Sequence, residues 1–173
     1  MGRLCGVLNL PHTWTTIRKQ SLATPRCLSM SAKRIMVATD GSAGADRAVE
    51  AAAGLAKSLN ADLTIATFGG SFSADEIEQL TRAEGQVGEA VELLLNSILR
   101  LAKERAERIG APKIHTRSGW GDPAHSIIEI ASRKEVDIVV LGRRGRGRLV
   151  GMLFGSTSQK VASLAACIVV IVP

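Results

Sequence analysis

Gly142-Arg143-Arg144-Gly145, followed after nine residues by Gly155-Ser156-Thr157-Ser158, is the segment best suited to chemistry. Glycines lack Cβ, so the backbone can turn sharply and bring N–H groups against phosphate oxygens. Ser156 would stand at the start of a helix running to about Leu164, where unpaired N–H groups and the helix dipole favour an anion. The hydroxyls of Ser156, Thr157 and Ser158 would add donors. Spacing alone leaves a plainer reading open, in which Gly142 and Gly145 form a turn and Ser156 caps a helix. No Gly-Lys-Ser/Thr occurs, and Gly145-Arg146-Gly147 does not continue as a dinucleotide fingerprint, which disfavours standard P-loop and NAD sites.

These residues need a scaffold, and the hydrophobic pattern supplies one. Ile35 to Thr39 is a short apolar run without alternation, as in a strand covered on both faces. Asp40-Gly41-Ser42 ends it, and Ala45, Ala48, Val49, Ala52, Leu55, Ala56 and Leu59 recur at helical spacing up to Asn60. Leu63 to Phe68 reads as a second strand, Ser73 with Glu76 as a capping box, and Gly88 to Ile109 as a helix stopped by Gly110 and Pro112. Further strands are predicted at Lys113 to Arg117, Ile138 to Leu141 and Ile168 to Val172, with a helix at Pro123 to Arg133.

Alternating strands and helices predict one doubly wound α/β domain, a five-stranded parallel sheet with helices on both faces, and the strand order expected of it is 3-2-1-4-5. Ligands of such sheets sit beyond the carboxyl ends of the strands, where the order reverses. Three loops fall there: Thr39 to Ser42, Phe68 to Gly70, and Gly142 to Ser156.

Charge separates the domain from its leader. Arg3, Arg18, Lys19, Arg26, Lys33 and Arg34 precede the first acid, Asp40; beyond them the remaining 16 of 22 basic residues balance all 16 acidic ones. The excess basic charge therefore belongs to the segment up to residue 34; little packed structure is expected over the basic leader 1–32, and the domain is expected over 33–173. The leader reads either as a start misassigned ahead of Met30 or as an organelle transit peptide. At 3% aromatic residues and with no basic stripe on a folded element, nucleic-acid binding is not expected. Cys5, Cys27 and Cys167 are too scattered for a disulfide framework or a zinc site and suit a reducing cytoplasm. The apolar run Cys167 to Pro173 is far shorter than the roughly 20 residues of a membrane span. His12, His115 and His125 form no metal or triad motif, so no catalytic residue and no metal ligand set is expected; Trp120 reads as a packing anchor.

Taken together, Gly-x-x-Gly, nine residues, Gly-Ser and the early Val37-x-x-Asp40-Gly41-Ser42 resemble the universal stress protein family. Gly121-Asp122-Pro123-Ala124, Val139 to Gly142 and the closing Cys167 to Val172 extend the likeness over roughly 33 to 173. For the ATP-binding branch, the resemblance implies Asp40 on the adenine side and the backbone at Thr67 and Phe68 against the base. It implies Gly142, Gly145, Gly155 and Ser156 around ribose and phosphates, with Thr157 next in line. It further implies ATP, with Mg²⁺ on its phosphates, and a homodimer through Ile168 to Val172. An apolar edge strand gives that pairing independent physical support.

Two departures stand out: Thr67-Phe68-Gly69-Gly70 replaces a His-Val-like strand end, and Arg143, Arg144, Arg146 and Arg148 make the loop unusually basic. These arginines read either as a solvated loop or, with Arg144 foremost, as contacts to phosphate oxygens that favour ATP over AMP. The expected function is a nucleotide-binding regulatory protein of the stress response. A slow ATPase or nucleotidyl-transfer enzyme and a nucleotide-free dimeric scaffold are the alternatives.

Overall fold

The computed structural model describes residues 32–71, 87–133, 135–147 and 153–173. The leader up to residue 31, the Ser73 capping box and Arg148 lie outside the described residues. Five strands, β1 (Arg34–Ala38), β2 (Asp62–Phe68), β3 (Lys113–Gly119), β4 (Ile138–Gly142) and β5 (Ile168–Val172), form one parallel sheet in the predicted order β3-β2-β1-β4-β5. The helices are α1 (Ala43–Leu59), α2 (Val87–Ile109), α3 (Pro123–Ser132) and α4 (Ser156–Leu164).

Alternation within each strand divides the core. Ile35, Val37, Leu63, Ile65, Ile138 and Val140 pack against α1 and α2, while Met36, Ala66, Val139 and Leu141 pack against α3 and α4. The inner face of α1 is Ala45, Ala48, Val49, Ala52, Ala53 and Ala56, residues small enough to let this helix lie close to the sheet. Ser42 starts α1 by accepting from Ala45 N–H at 3.3 Å, and Asn60 stops it in the left-handed region at φ 48°.

β3 runs to Gly119, two residues past its predicted end, because it pairs with β2 along the whole length from Asp62↔Lys113 to Phe68↔Gly119. Gly119 is suited to that last position, since a Cβ there would lie 3.0 Å from the Phe68 ring. β1 sits between β2 and β4, and the connections leave the sheet to opposite faces: α1 follows β1 on one side, α4 follows β4 on the other. The crevice between those two departures is where the order reverses.

Candidate functional site

A cavity of about 340 Å³ opens at the carboxyl ends of β1, β2 and β4. Asp40, Phe68, Gly142, Arg144, Gly145, Gly155, Ser156 and Thr157 all line it. Thr67 does not: it is fully buried, and its hydroxyl has no hydrogen-bond partner. Period-2 alternation turns its side chain toward α1 and α2 while Phe68 faces the other layer, so of the two it is Phe68 that reaches the cavity.

Close backbone approach builds the glycine loop. A Cβ on Gly142 would lie 2.8 Å from the carbonyl of Gly44, and one on Gly44 would lie 2.6 Å from the Arg144 carbonyl oxygen. Both distances are closer than real Cβ contacts allow, so the start of α1 and the end of β4 meet only as a glycine pair. Gly44 escaped the sequence reading. Its one signal was a glycine in the first turn of an alanine-rich helix, where alanine is the better helix former.

The loop's next residue is a junction through its backbone. Arg143 N–H donates to the Val172 carbonyl at 2.6 Å, and its own carbonyl accepts from Gly155 N–H at 2.9 Å and from the Ser158 hydroxyl at 2.9 Å. Ser158, expected as a further donor to an anion, is instead buried and occupied as a brace between loop and helix. The N-cap of α4 is Gly155, which places Ser156 at the first helical position, and no side chain among the described residues caps the N–H groups of that first turn. The helices α1 and α3 differ in this respect: Ser42 caps one, and the Asp122 carboxylate accepts from Ala124 N–H at 3.0 Å in the other.

Two acids border the cavity. Asp122 also pairs with Lys160 of α4 at 2.9 Å, and that bond holds its carboxyl below the usual carboxylate range. Asp40 accepts from Ser42 N–H at 3.0 Å through one oxygen and from Arg146 N–H at 2.9 Å through the other. Trp120 rests on the backbone at Gly69, where a Cβ would come within 2.9 Å of the indole, yet 64% of its surface remains exposed. Cys167 is half-buried, and burial pushes its thiol up.

A five-stranded parallel sheet of this order with a glycine loop at its switch point defines the chain as a doubly wound α/β domain. Comparison with known proteins fixes the family. The family model for universal stress proteins matches residues 31–173, and the chain belongs to that family. It is 34% identical over 155 residues to universal stress protein YxiE of Bacillus subtilis, covering 80% of this chain and 97% of that one. A crystal structure of a universal stress protein in complex with cAMP aligns with a TM-score of 0.62 at 30% identity, over 82% of this chain and 96% of that one. UspA from Lactobacillus plantarum aligns with a TM-score of 0.67 at 23% identity, over 82% and 98%, and speaks to the fold alone.

Proposed function

We propose that the cavity binds an adenine nucleotide, with ATP the ligand to test first, and that the chain acts as a nucleotide-responsive regulatory protein of the stress response. The observation that carries this reading is the convergence of Gly142, Gly145 and the uncapped start of α4 on one cavity. Exposed N–H groups at a helix start, beside backbone that no Cβ obstructs, suit phosphate oxygens. Arg144 in the wall adds a guanidinium that can meet a phosphate, and Phe68 offers an apolar surface for a base. The cAMP complex of a 30% identical family member supports adenine.

Mg²⁺ would arrive on the nucleotide's phosphates, since no group of three His, Cys, Asp or Glu able to hold a metal occurs among the described residues. Pairing of two copies through β5 belongs to the same reading: the strand is wholly apolar and is the end strand of the sheet among the described residues. The cytoplasm is the compartment proposed, in keeping with its scattered cysteines. No described helix is long and apolar enough to cross a membrane.

Thermal unfolding with and without ATP and Mg²⁺ tests the proposal. A ligand that binds only the folded state stabilises it by about 2.7 kcal/mol at a hundredfold excess over its dissociation constant. The wild type should show such a shift, and Ser156→Ala and Arg144→Ala should show a smaller one. No shift at saturating nucleotide sinks the reading.

A further inference from the structure

The loop that carries the phosphate-binding glycines is fastened to the opposite side of the cavity at one residue. Arg146 N–H donates to Asp40 Oδ2 at 2.9 Å, and Arg146 Nε donates to the Asp40 backbone oxygen at 2.6 Å. The other carboxylate oxygen, Oδ1, accepts from Ser42 N–H, so Asp40 itself is held to the start of α1. Gly145 lies directly on the carboxylate, where a Cβ would overlap Oδ2. At the start of the same loop, Arg143 is fixed separately, through the Val172 carbonyl. The segment Arg144-Gly145 therefore lies between two anchored residues, Arg143 on β5 and Arg146 on Asp40.

We propose that Asp40 and Arg146 form a tether that sets the position of the glycine loop, so that Asp40 governs the phosphate end of the cavity as well as the base end. This rests on the nucleotide reading for its ligand but not for its geometry. A carboxylate oxygen can accept more than one hydrogen bond, so Asp40 can hold the loop and still receive a donor from a base. One residue then serves both ends, and ordering the loop for phosphate and ordering Asp40 for the base become one event.

Charge and position make opposite demands at the phosphate end. Removing a carboxylate from beside an anion site would by charge alone tighten binding of a polyphosphate. Losing the tether would weaken it. The experiment measures tripolyphosphate and adenosine binding separately, by calorimetry on the full chain, for wild type, Asp40→Ala, Asp40→Asn and Arg146→Ala. Asp40→Ala should raise the dissociation constant for tripolyphosphate at least about tenfold, the equivalent of one charge-assisted hydrogen bond. Arg146→Ala keeps the backbone N–H and should cost several-fold. Unchanged or tighter tripolyphosphate binding in Asp40→Ala overturns the proposal and leaves Asp40 a base contact only.

Amide hydrogen exchange on the ligand-free protein gives an answer independent of any nucleotide. Arg146 N–H should exchange at least about tenfold faster in Asp40→Ala, while Arg143 N–H, bonded to Val172, keeps its protection. Asp40→Asn, which retains one carbonyl oxygen, should fall between, and it serves if the alanine variant does not fold. Unaltered Arg146 exchange overturns the tether. Wild type that binds neither tripolyphosphate nor ATP, with the exchange result as expected, overturns the nucleotide reading and leaves the tether standing.

Discussion

The two ends of the same sheet handle their polar groups in opposite ways. At the amino ends of β1 and β4, Asp137 Oδ2 accepts from Lys33 N–H at 3.0 Å and Arg34 N–H at 2.9 Å, while its Oδ1 meets Arg34 Nη2 at 2.9 Å. Asp137 N–H returns a bond to the Arg34 carbonyl at 2.8 Å. This end closes on itself. At the carboxyl ends, the Gly44–Gly142 contact brings backbone together without side chains, and the first turn of α4 has no side-chain cap among the described residues. Donors are matched internally at the amino end, and the proposed binding end is the one where the helix start carries no side-chain cap among the described residues.

Substitutions at each end test that division. The largest effect should come from Gly142→Val, because what its side chain meets is backbone of Gly44 and Ala45, which cannot rotate away. Overpacking of that kind costs about 3 kcal/mol, and urea denaturation should show it together with loss of nucleotide binding. Next is Asp137→Ala, which removes the acceptor of two backbone N–H groups and one guanidinium. Because the site is partly open to water, the expected loss is about 1 to 2 kcal/mol, with nucleotide affinity unchanged. Weakened binding in Asp137→Ala would show that the two ends are coupled.

Legibility in the sequence follows the same line. Apolar runs and helical spacing matched every described strand and α-helix to within two residues, because burial imposes a period that a sequence displays; the short 3-10 turn at Gly69–Ser71 carries no such period and read as loop. The residues of the cavity were legible as types: glycines at turns, Ser156 near a helix start, Asp40 at a strand end. What could not be read was which donors were already taken. Ser158 and Ser156 look alike in sequence and both line the cavity, yet the Ser158 hydroxyl is spent on bracing Arg143. Gly44 gains its meaning only when β1 and β4 lie side by side and bring residue 142 to it. Thr67 and Phe68 differ by one position, and the pleat sends them to opposite faces.

A finer comparison is available within the carboxyl end, between a capped and an uncapped helix start. Asp122→Ala removes the cap of α3 and the pairing with Lys160, and should cost about 1 kcal/mol of stability. Ser156→Ala breaks no side-chain hydrogen bond among the described residues and should leave stability within about 0.5 kcal/mol while weakening nucleotide binding several-fold. Equal losses of stability in the two variants would erase the distinction between a helix start that is satisfied and one held for a ligand.

The smallest expected effect lies at the amino end and depends on pH. The Arg34 guanidinium bonded to Asp137 holds its carboxyl below the usual carboxylate range. A depressed folded-state value means that the unfolded chain binds the proton first, so the stabilisation is present above about pH 3.9 and is lost as pH falls through the folded value. With a third of the side chain exposed, screening limits it to several tenths of a kcal/mol. Asp122 contributes to the same acid limb with the same sign, through Lys160, so the two must be separated by single variants. Chemical denaturation of Asp137→Asn between pH 3 and pH 6 should give a shallower fall in stability than the wild type. Parallel slopes would mean that the amino end is held by its backbone ladder alone, with Arg34 and Asp137 adding geometry but no charge-dependent stability.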